Sequence, residues 1–335
     1  MSSLKAIRAR FARNEGLPFA EVLTEANILD VLHEQGVTFR DRVFTPVTTM
    51  WGFLSQVLSE DQSCRDTVSR IIAHRAASGL PVCSPNTSSY CTARSRLPTR
   101  VVRTLATRTA EELQNSVAEE WKWNGRSVYI ADGATVSMPD TPENQKAYPQ
   151  PPNQQPGLGF PLARIMALLS LATGACQDLE IAPYEGKGTG EKNLFRRMYK
   201  TFKAGDVVLL DSLFDDYFLA CELRQLGVDL VAHAKYARAG SELRQSGPEG
   251  EILAWQRPQK PRGMTREKYR SYPEELVMRR VKVDARDQNN RVEQFEVITT
   301  ILDVSIDGEQ IGQLYEQRWE GEVDLRSIKS TMQMD

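Results

Sequence analysis

Asp132 and Asp211 each stand at the C-terminal end of a predicted β-strand, where carboxylates could form a metal site. Asp132 ends a short β-rich run, RSVYIAD, and Asp211 ends a continuous apolar run, DVVLLD. Ligands of α/β proteins gather at the carboxyl ends of strands. Two carboxylates brought together there repel each other unless a cation neutralises them. Because hard oxygen ligands select Mg²⁺ or Mn²⁺ over zinc, the pair predicts a divalent-metal site. The alternative is that each aspartate only forms a turn.

A third acid, Glu322, lies on the last predicted helix, residues 308–331. At about 100° per residue, one narrow face of that helix carries Tyr315, Arg318, Trp319, Glu322, Arg326 and Lys329. An acid flanked by cations and an aromatic ring suits a metal ligand beside a phosphate backbone. The alternative is an exposed helix on which Glu322 forms i,i+4 ion pairs with two arginines, and the pattern alone leaves both open.

The elements that must position these residues fall into four predicted segments. Residues 1–122 have the apolar spacing of about five helices and form an all-α N-terminal domain. Residues 123–235 alternate as β-β-β-α-β-α-β, which predicts a mixed α/β sheet, with the Pro- and Gln-rich stretch after Asp132 as a loop. Residues 236–303 are predicted as a β-rich insertion, and residues 304–335 carry the helix of the third acid.

Composition and charge exclude some classes of protein. No apolar run approaches the roughly 18 residues that cross a bilayer, and no secretory signal is evident at the N-terminus. The five cysteines form no CxxC pair and the three histidines are far apart, which argues against a zinc finger. The scattered free thiols suit a reducing cytoplasm.

The net charge of −2 argues against a nucleic-acid binder as a whole, but the charge is unevenly distributed. One run has no intervening acid: Arg94, Arg96, Arg100, Arg103 and Arg108. Clustered cations of this kind bind DNA phosphates, so the helical N-terminal domain is predicted to bind DNA. A plain packing domain is the equally weighted alternative.

The ordered motifs resemble those of one known family. Tyr315-x₂-Arg318-x₃-Glu322-x₆-Lys329 is similar to the YREK signature of the IS-four family of insertion-sequence transposases. Asp132-Gly133 resembles the first-aspartate block of that family, and GDVVLLDSLFDDYFL resembles its second-aspartate block. The stretches GLGFPLARIMALLSLATGA and YEGKGTGEKNLFRRM resemble the blocks between them. The stretches WGFLSQVLSEDQSCRDTV and YCTARSRLP resemble the N-terminal region of the family. The resemblance therefore runs from about residue 20 to residue 332.

This resemblance implies a ribonuclease-H-like fold, a DDE two-metal mechanism and a set of site residues. Asp132, Asp211 and Glu322 are implied to be catalytic and to bind two Mg²⁺ ions, with Mn²⁺ as a substitute. Tyr315, Arg318 and Lys329 are implied to hold phosphates near the scissile bond, with help from Arg326. The implied partners are the double-stranded DNA of terminal inverted repeats and target, and a second copy of the chain. The implied location is the bacterial cytoplasm at the nucleoid, with no membrane contact.

Two tryptophans are candidates for stacking on a base. Members of the family release their element through a DNA hairpin with a base flipped onto tryptophan, and Trp319 matches a motif position for that contact. Trp255, in the predicted insertion, is a second candidate. Ordinary packing inside the insertion is the preferred interpretation of Trp255.

The chain also departs from the family pattern, since it stops six residues after Lys329. Family members usually continue through a further helical region, so a C-terminal truncation is expected from the resemblance. Three hypotheses follow. The first is a transposase that cleaves and transfers DNA strands. The second is an inactive, truncated transposase that acts as a DNA-binding protein or inhibitor. The third, ranked below the others, is a metal-dependent nuclease of the same fold with another substrate.

Overall fold

The computed structural model describes residues 23–155, 157–234, 241–286, 292–319 and 326. This part of the chain forms two compact units, one within residues 23–112 and one within residues 113–326. The boundary predicted after residue 122 lies further along the chain than this division. The four predicted domain limits therefore stay predictions.

The N-terminal unit is helical, as predicted. Its described helices are α1 (Glu25–Glu34), α2 (Pro46–Leu58), α3 (Cys64–Ala77), α4 (Ser88–Arg96) and α5 (Thr99–Asn115). Thr24, Thr45 and Ser63 cap the first three helices, each through a side-chain oxygen that accepts a backbone N–H in the first turn. The apolar faces of α1, α2 and α5 share one core, formed by Ile28, Val31, Leu32, Val47, Met50, Trp51, Val101 and Leu105.

The second unit is built on one sheet of nine described strands, in the spatial order β3-β2-β1-β4-β5-β9-β8-β7-β6. The strands are β1 (Val128–Ser137), β2 (Leu162–Ser170), β3 (Cys176–Pro183), β4 (Val207–Leu210), β5 (Asp229–His233), β6 (Ser241–Gly247), β7 (Gly250–Gln256), β8 (Glu275–Arg286) and β9 (Val292–Thr299). The strands β1, β4 and β5 run parallel, and all other neighbours are antiparallel.

Five helices belong to this unit in the described part of the chain. They are α6 (Pro142–Ala147), α7 (Glu191–Arg197), α8 (Tyr217–Gln225), α9 (Arg266–Ser271) and α10 (Gly308–Glu316). Each of the four residues of β4 is buried, because α7 and α8 cover one face of the sheet and α10 covers the other. Burial on both faces explains why this strand has no polar alternation.

The predicted fold class is therefore confirmed. The order of elements from β1 to β5 is the predicted β-β-β-α-β-α-β, apart from the additional α6. The strand order β3-β2-β1-β4-β5 agrees with the ribonuclease-H-like sheet that the family resemblance implied. The β-rich character of the following segment is also found, since β6 to β9 extend the same sheet through the pairing of β5 with β9.

Two predictions about local structure were wrong. The stretch after Asp132 is not all loop, because Thr141 and Pro142 begin the short helix α6 with a side-chain cap and a proline in its first turn. The last predicted helix is not uninterrupted either. The first part, α10, is capped at Gln317, whose N–H bonds to the carbonyl three residues back and so tightens the turn.

Candidate active site

Asp132 and Asp211 lie level with each other on neighbouring strands. The parallel register pairs Ile130 of β1 with Leu209 of β4, and two residues further along each strand stand the two aspartates. Neighbouring strands are about 4.8 Å apart, so the two chains run alongside each other up to Ile130 and Leu209, and each aspartate follows its paired residue by two positions. The strand order thus brings together two acids that are 79 positions apart in the sequence.

The prediction that Asp132 ends its strand was wrong. The strand β1 continues to Ser137, because its second half pairs with β2 up to Leu162. Pairing with β4, in contrast, stops at Ile130. Asp132 therefore lies just beyond the part of β1 that pairs with β4. It stands at the edge of the parallel part of the sheet, although the strand itself continues to Ser137.

Both aspartates face α10. Alternate residues of a strand point to the same side of a sheet, and Val128 and Ile130 of β1 share a buried cluster with Ile311 and Leu314 of α10. Asp132 continues that alternation. Val207 and Leu209 of β4 belong to the same cluster, and Asp211 continues it because its backbone is still extended, with φ −79° and ψ 179°. Both carboxylates are partly exposed.

Asp211 is also fixed locally. Its Oδ1 accepts a hydrogen bond of 2.8 Å from the backbone N–H of Leu213, and it caps the short 3-10 helix Ser212–Phe214. A side chain that satisfies a backbone donor in this way keeps one orientation. The second oxygen of the carboxylate is left out of that cap.

Tyr315 of α10 reaches the strand that carries Asp211. Its hydroxyl donates a hydrogen bond of 3.1 Å to the carbonyl of Leu210, and the side chain is buried. Burial raises the pKa of Tyr315, the neighbouring Arg318 opposes that shift, and the charge of Asp211 adds to it. The structure therefore brings Asp211, Tyr315 and Arg318 together, but it uses the tyrosine hydroxyl inside the protein and not at a surface open to phosphate.

The other residues of the predicted helix face have different surroundings. Arg318 is 7% exposed, whereas Trp319 is 46% exposed. The ring of Trp319 meets the edge of Phe295, with 5.9 Å between centroids, and leaves much of its surface open. Arg326 is helical and exposed. Glu322 and Lys329 lie outside the described residues, so the structure does not place the third predicted acid.

A further carboxylate, Glu191, lies at the same edge, and sequence analysis missed it. An ideal Cβ on Gly133 would lie 2.8 Å from Cδ and 3.1 Å from Oε1 of Glu191, so the carboxyl group rests against the backbone next to Asp132. Burial raises the pKa of Glu191, Arg164 opposes the shift, and the charge of Asp211 adds to it. The glycine directly after Asp132 was the sequence signal for such a close approach.

The donors at this edge fit a hard divalent cation. Carboxylate oxygens are the ligands that Mg²⁺ and Mn²⁺ prefer, and the two aspartates stand beside each other as like charges that a cation would neutralise. Within the described ranges, no group of three His, Cys, Asp or Glu side chains is arranged to hold a metal ion. A complete ligand set would require a further group, and Glu322 remains the predicted one.

The arginine run of the N-terminal unit is divided between two helices. Arg94, on α4, is partly buried and donates a hydrogen bond of 2.8 Å to the side-chain oxygen of Gln56. Arg96 is exposed at the end of the same helix, and Arg100 and Arg103 are exposed on α5. The Leu97–Pro98 break separates them, since proline begins a new helix and does not continue the old one.

Arg96 instead borders a groove of about 1060 Å³ within the N-terminal unit. Two further arginines that sequence analysis missed, Arg40 and Arg42, line the same groove and are exposed. Hydroxyl groups surround them, from Thr38, Thr49, Ser84, Ser88, Ser89 and Thr92. Guanidinium and hydroxyl donors are the groups that most often contact DNA phosphates.

Trp255 is buried in the core of the second unit, at 2% exposure, together with Leu276 and Met278. The preferred interpretation of Trp255, ordinary packing, is confirmed. None of the helices in the described part of the chain has the length and apolar content that a bilayer crossing requires.

Comparison with known proteins identifies relatives of this chain. The sequence model of a family described as transposase DDE domain matches residues 123–335. The transposase InsG for insertion sequence element IS4 from Escherichia coli (strain K12) is 25% identical over 329 residues, which cover 96% of this chain and 70% of that protein. The family match includes β1 with Asp132, β4 with Asp211 after it, and α10.

Proposed function

Because this chain belongs to the transposase DDE-domain family, we propose that it cuts and joins DNA strands at the ends of an insertion element. The observation that supports this proposal most is the shared register of Asp132 and Asp211, on two parallel strands and facing one helix. The relative named as the transposase of insertion sequence element IS4 supports an insertion element as the substrate.

In this proposal Asp132, Asp211 and Glu322 bind two Mg²⁺ ions. Bound divalent ions supply Lewis-acid activation of a water or 3′-hydroxyl nucleophile and stabilise charge on the leaving oxygen. The two aspartates hold their carboxylates on the face covered by α10. Tyr315 fixes the backbone at Leu210 through its hydrogen bond, and thereby the orientation of the next residue, Asp211.

Other side chains are proposed to bind the substrate. Arg318, Arg326 and Lys329 would contact phosphates near the scissile bond, because guanidinium and ammonium groups pair with phosphate oxygens. Trp319, which is half exposed, would stack on an unpaired base. We also propose that two copies of the chain act together, one at each end of the element.

Cleavage of DNA that carries the element in its native flanks tests this function. The full chain is incubated with a supercoiled plasmid of that kind in Mg²⁺, in Mn²⁺ and in EDTA, and the ends of the products are mapped. The proposal expects nicks at the element boundaries in both metals and none in EDTA. Specific binding without cleavage in any metal would favour the inactive DNA-binding protein, and cleavage that persists in EDTA would contradict a metal-dependent mechanism.

The N-terminal groove is proposed to bind the DNA of the element ends. Replacing Arg40, Arg42 and Arg96 together by glutamate is expected to weaken binding, because three cations that release counterions from phosphate become anions. The slope of log affinity against log salt should become shallower by about 2.7, at roughly 0.9 for each lost phosphate contact. Fluorescence anisotropy of labelled end DNA over a salt series measures both quantities.

A variant with the same change of charge elsewhere provides the control. Arg65, Lys146 and Lys203 are exposed and lie outside the groove, so their replacement by glutamate should leave the salt slope within about 1 of wild type. If the groove variant and this control have the same slope, the groove is not the DNA-binding surface.

A further inference from the structure

The first turn of α7 contacts the backbone of β1 immediately beside Asp132. At Gly133, a Cβ atom would approach the Glu191 carboxyl carbon to 2.8 Å and its Cγ to 3.0 Å. Distances this short show that the carboxyl group occupies the space that a side chain at position 133 would fill. The glycine and the glutamate are therefore matched to each other.

Glu191 is held in that position from its other side. Arg164 of β2 lies 3.8 Å from its Oε1 and donates a hydrogen bond of 3.3 Å to the carbonyl of Thr189, just before the helix. The same guanidinium lies over the ring of Tyr184, 5.0 Å from its centroid. A guanidinium that is stacked and hydrogen-bonded has little freedom, so Glu191 rests between a fixed cation and the Gly133 backbone.

The next residue of the same turn contacts the other acid-bearing segment. Lys192 pairs with Asp216 at 2.9 Å, and Asp216 caps α8 by accepting from the N–H groups of Phe218 and Leu219. Burial alone would raise the pKa of Asp216, but the hydrogen bond and charge of Lys192, the N–H of Leu219 and the charge of Arg196 together hold it below its ordinary value. The segment between Asp211 and Asp216 is thus tied to α7.

We infer that Glu191 is a positioning residue that sets the spacing between Asp132 and Asp211 through its contact with Gly133. Two consecutive residues in the first turn of α7 contact the segments that carry the aspartates. Glu191 contacts β1, which carries Asp132, and Lys192 pairs with Asp216 in the segment that follows Asp211. This inference rests on the proposed function, since spacing matters only if the two aspartates bind the same metal centre. Supporting contacts around metal ligands typically change metal affinity by about 10- to 100-fold when they are lost.

Four variants of the full chain, three single and one double, separate this role from others. Glu191→Ala removes the contact, and Gly133→Ala forces the glutamate away from β1. Both should raise the Mn²⁺ dissociation constant, measured from the free Mn²⁺ resonance signal, by about tenfold. Glu191→Gln keeps the shape of the side chain and should stay within about threefold of wild type. The single variants Gly133→Ala and Glu191→Ala disrupt the same contact, so their effects should not add. The double variant should bind Mn²⁺ no more weakly than Glu191→Ala alone.

A matched control uses Glu251 of β7, which is paired with Arg280 and has a side-chain exposure of 24%, against 28% for Glu191. Glu251→Ala should bind Mn²⁺ like wild type. Thermal unfolding and metal-free DNA binding are measured in parallel, so that a general loss of structure is recognised.

The outcomes separate this inference from the proposed function. Wild-type affinity in Glu191→Ala overturns the inference, and so does a glutamine variant as weak as the alanine variant, because charge and not spacing would then be decisive. Asp211→Asn tests the metal site independently. If that variant binds Mn²⁺ as wild type does, the proposed metal centre itself is wrong, whatever Glu191 does.

Discussion

Asn replacements of Asp132 and of Asp211 are each expected to lower the rate of DNA cleavage by at least about a thousandfold, which corresponds to roughly 4 kcal/mol of transition-state stabilisation. The physical reason is that an amide keeps the size of the side chain but loses the charge that binds a divalent cation. Each variant should still bind end DNA, and slightly better than wild type, because one negative charge near the phosphates is gone. Single-turnover cleavage in Mg²⁺ measures the rate.

Asp140 supplies the control for these two variants. It is exposed, and its carboxylate accepts a hydrogen bond of 2.9 Å from Gln145 of α6, away from the paired strands that precede the two aspartates. Asp140→Asn should cleave at a rate close to wild type. If the Asp132→Asn and Asp211→Asn variants also cleave DNA at a rate close to wild type, neither aspartate contributes to the chemistry.

Arg279→Ala is expected to destabilise the second unit by about 3–5 kcal/mol, the usual result of removing one partner from a buried charged network. Arg279 is 2% exposed. Its Nε and Nη2 donate to the carbonyl of Glu249 at 2.8 and 2.6 Å, and its Nη1 donates to the carbonyl of Ile306 at 2.7 Å and to that of Asp303 at 3.3 Å. Alanine would take this donor away from the buried carbonyl of Ile306 and from the partly buried carbonyl of Glu249.

The position of Arg279 connects this stability to the active site. The carbonyls of Asp303 and Ile306 belong to the loop that leads into α10, and α10 carries Tyr315 to the strand of Asp211. Loss of the guanidinium should therefore loosen the start of the helix as well as lower the free energy of unfolding. Urea denaturation followed by circular dichroism measures that free energy.

The neighbouring residue gives a direct comparison. Arg280 pairs with Glu251 and Glu296, but its side chain is 23% exposed, so water can replace much of what alanine removes. Arg280→Ala should cost about 1 kcal/mol or less. A loss for Arg279→Ala no larger than that would show that the buried network contributes little.

Prediction of the fold from the sequence was most successful where a strand is buried on both faces and is therefore apolar throughout. DVVLLD has no polar alternation because β4 is buried on both faces, so the strand and the position of Asp211 after it were both predictable. The order of strands and helices around it followed for the same reason. The end of β1 was not predictable, because GATVS after Asp132 mixes small and polar residues while pairing only with β2.

Proximity in sequence was a poor guide to which arginines act together. Arg94 and Arg96 are two positions apart, yet one donates to Gln56 inside the unit and the other borders the groove. Arg40 and Arg42 join Arg96 across the fold, although more than fifty positions separate them. Tertiary packing decides which arginines line the same surface, and a run of like charges in the sequence does not reveal that packing.

Glu191 shows a different limit of prediction. It begins α7 after Gly190, which reads as an ordinary acid in the first turn of a helix. Gly133 indicates that some group approaches β1 closely, but its partner depends on how α7 packs against β2 and β3, which no local pattern contains. The face predicted for the last helix stays a prediction, because Glu322 and Lys329 lie outside the described residues.

Localised backbone cleavage by bound iron shows whether Asp132 and Asp211 hold one metal centre. Fe²⁺ is added in place of Mg²⁺, ascorbate and peroxide generate hydroxyl radicals at the bound ion, and the cut peptides are identified by mass spectrometry. Asp132 and Asp211 as ligands of one centre predict cuts next to both residues, which excess Mg²⁺ suppresses and Asp211→Asn abolishes. Cuts confined to other parts of the chain, or unchanged in Asp211→Asn, would contradict a metal centre at these two strands.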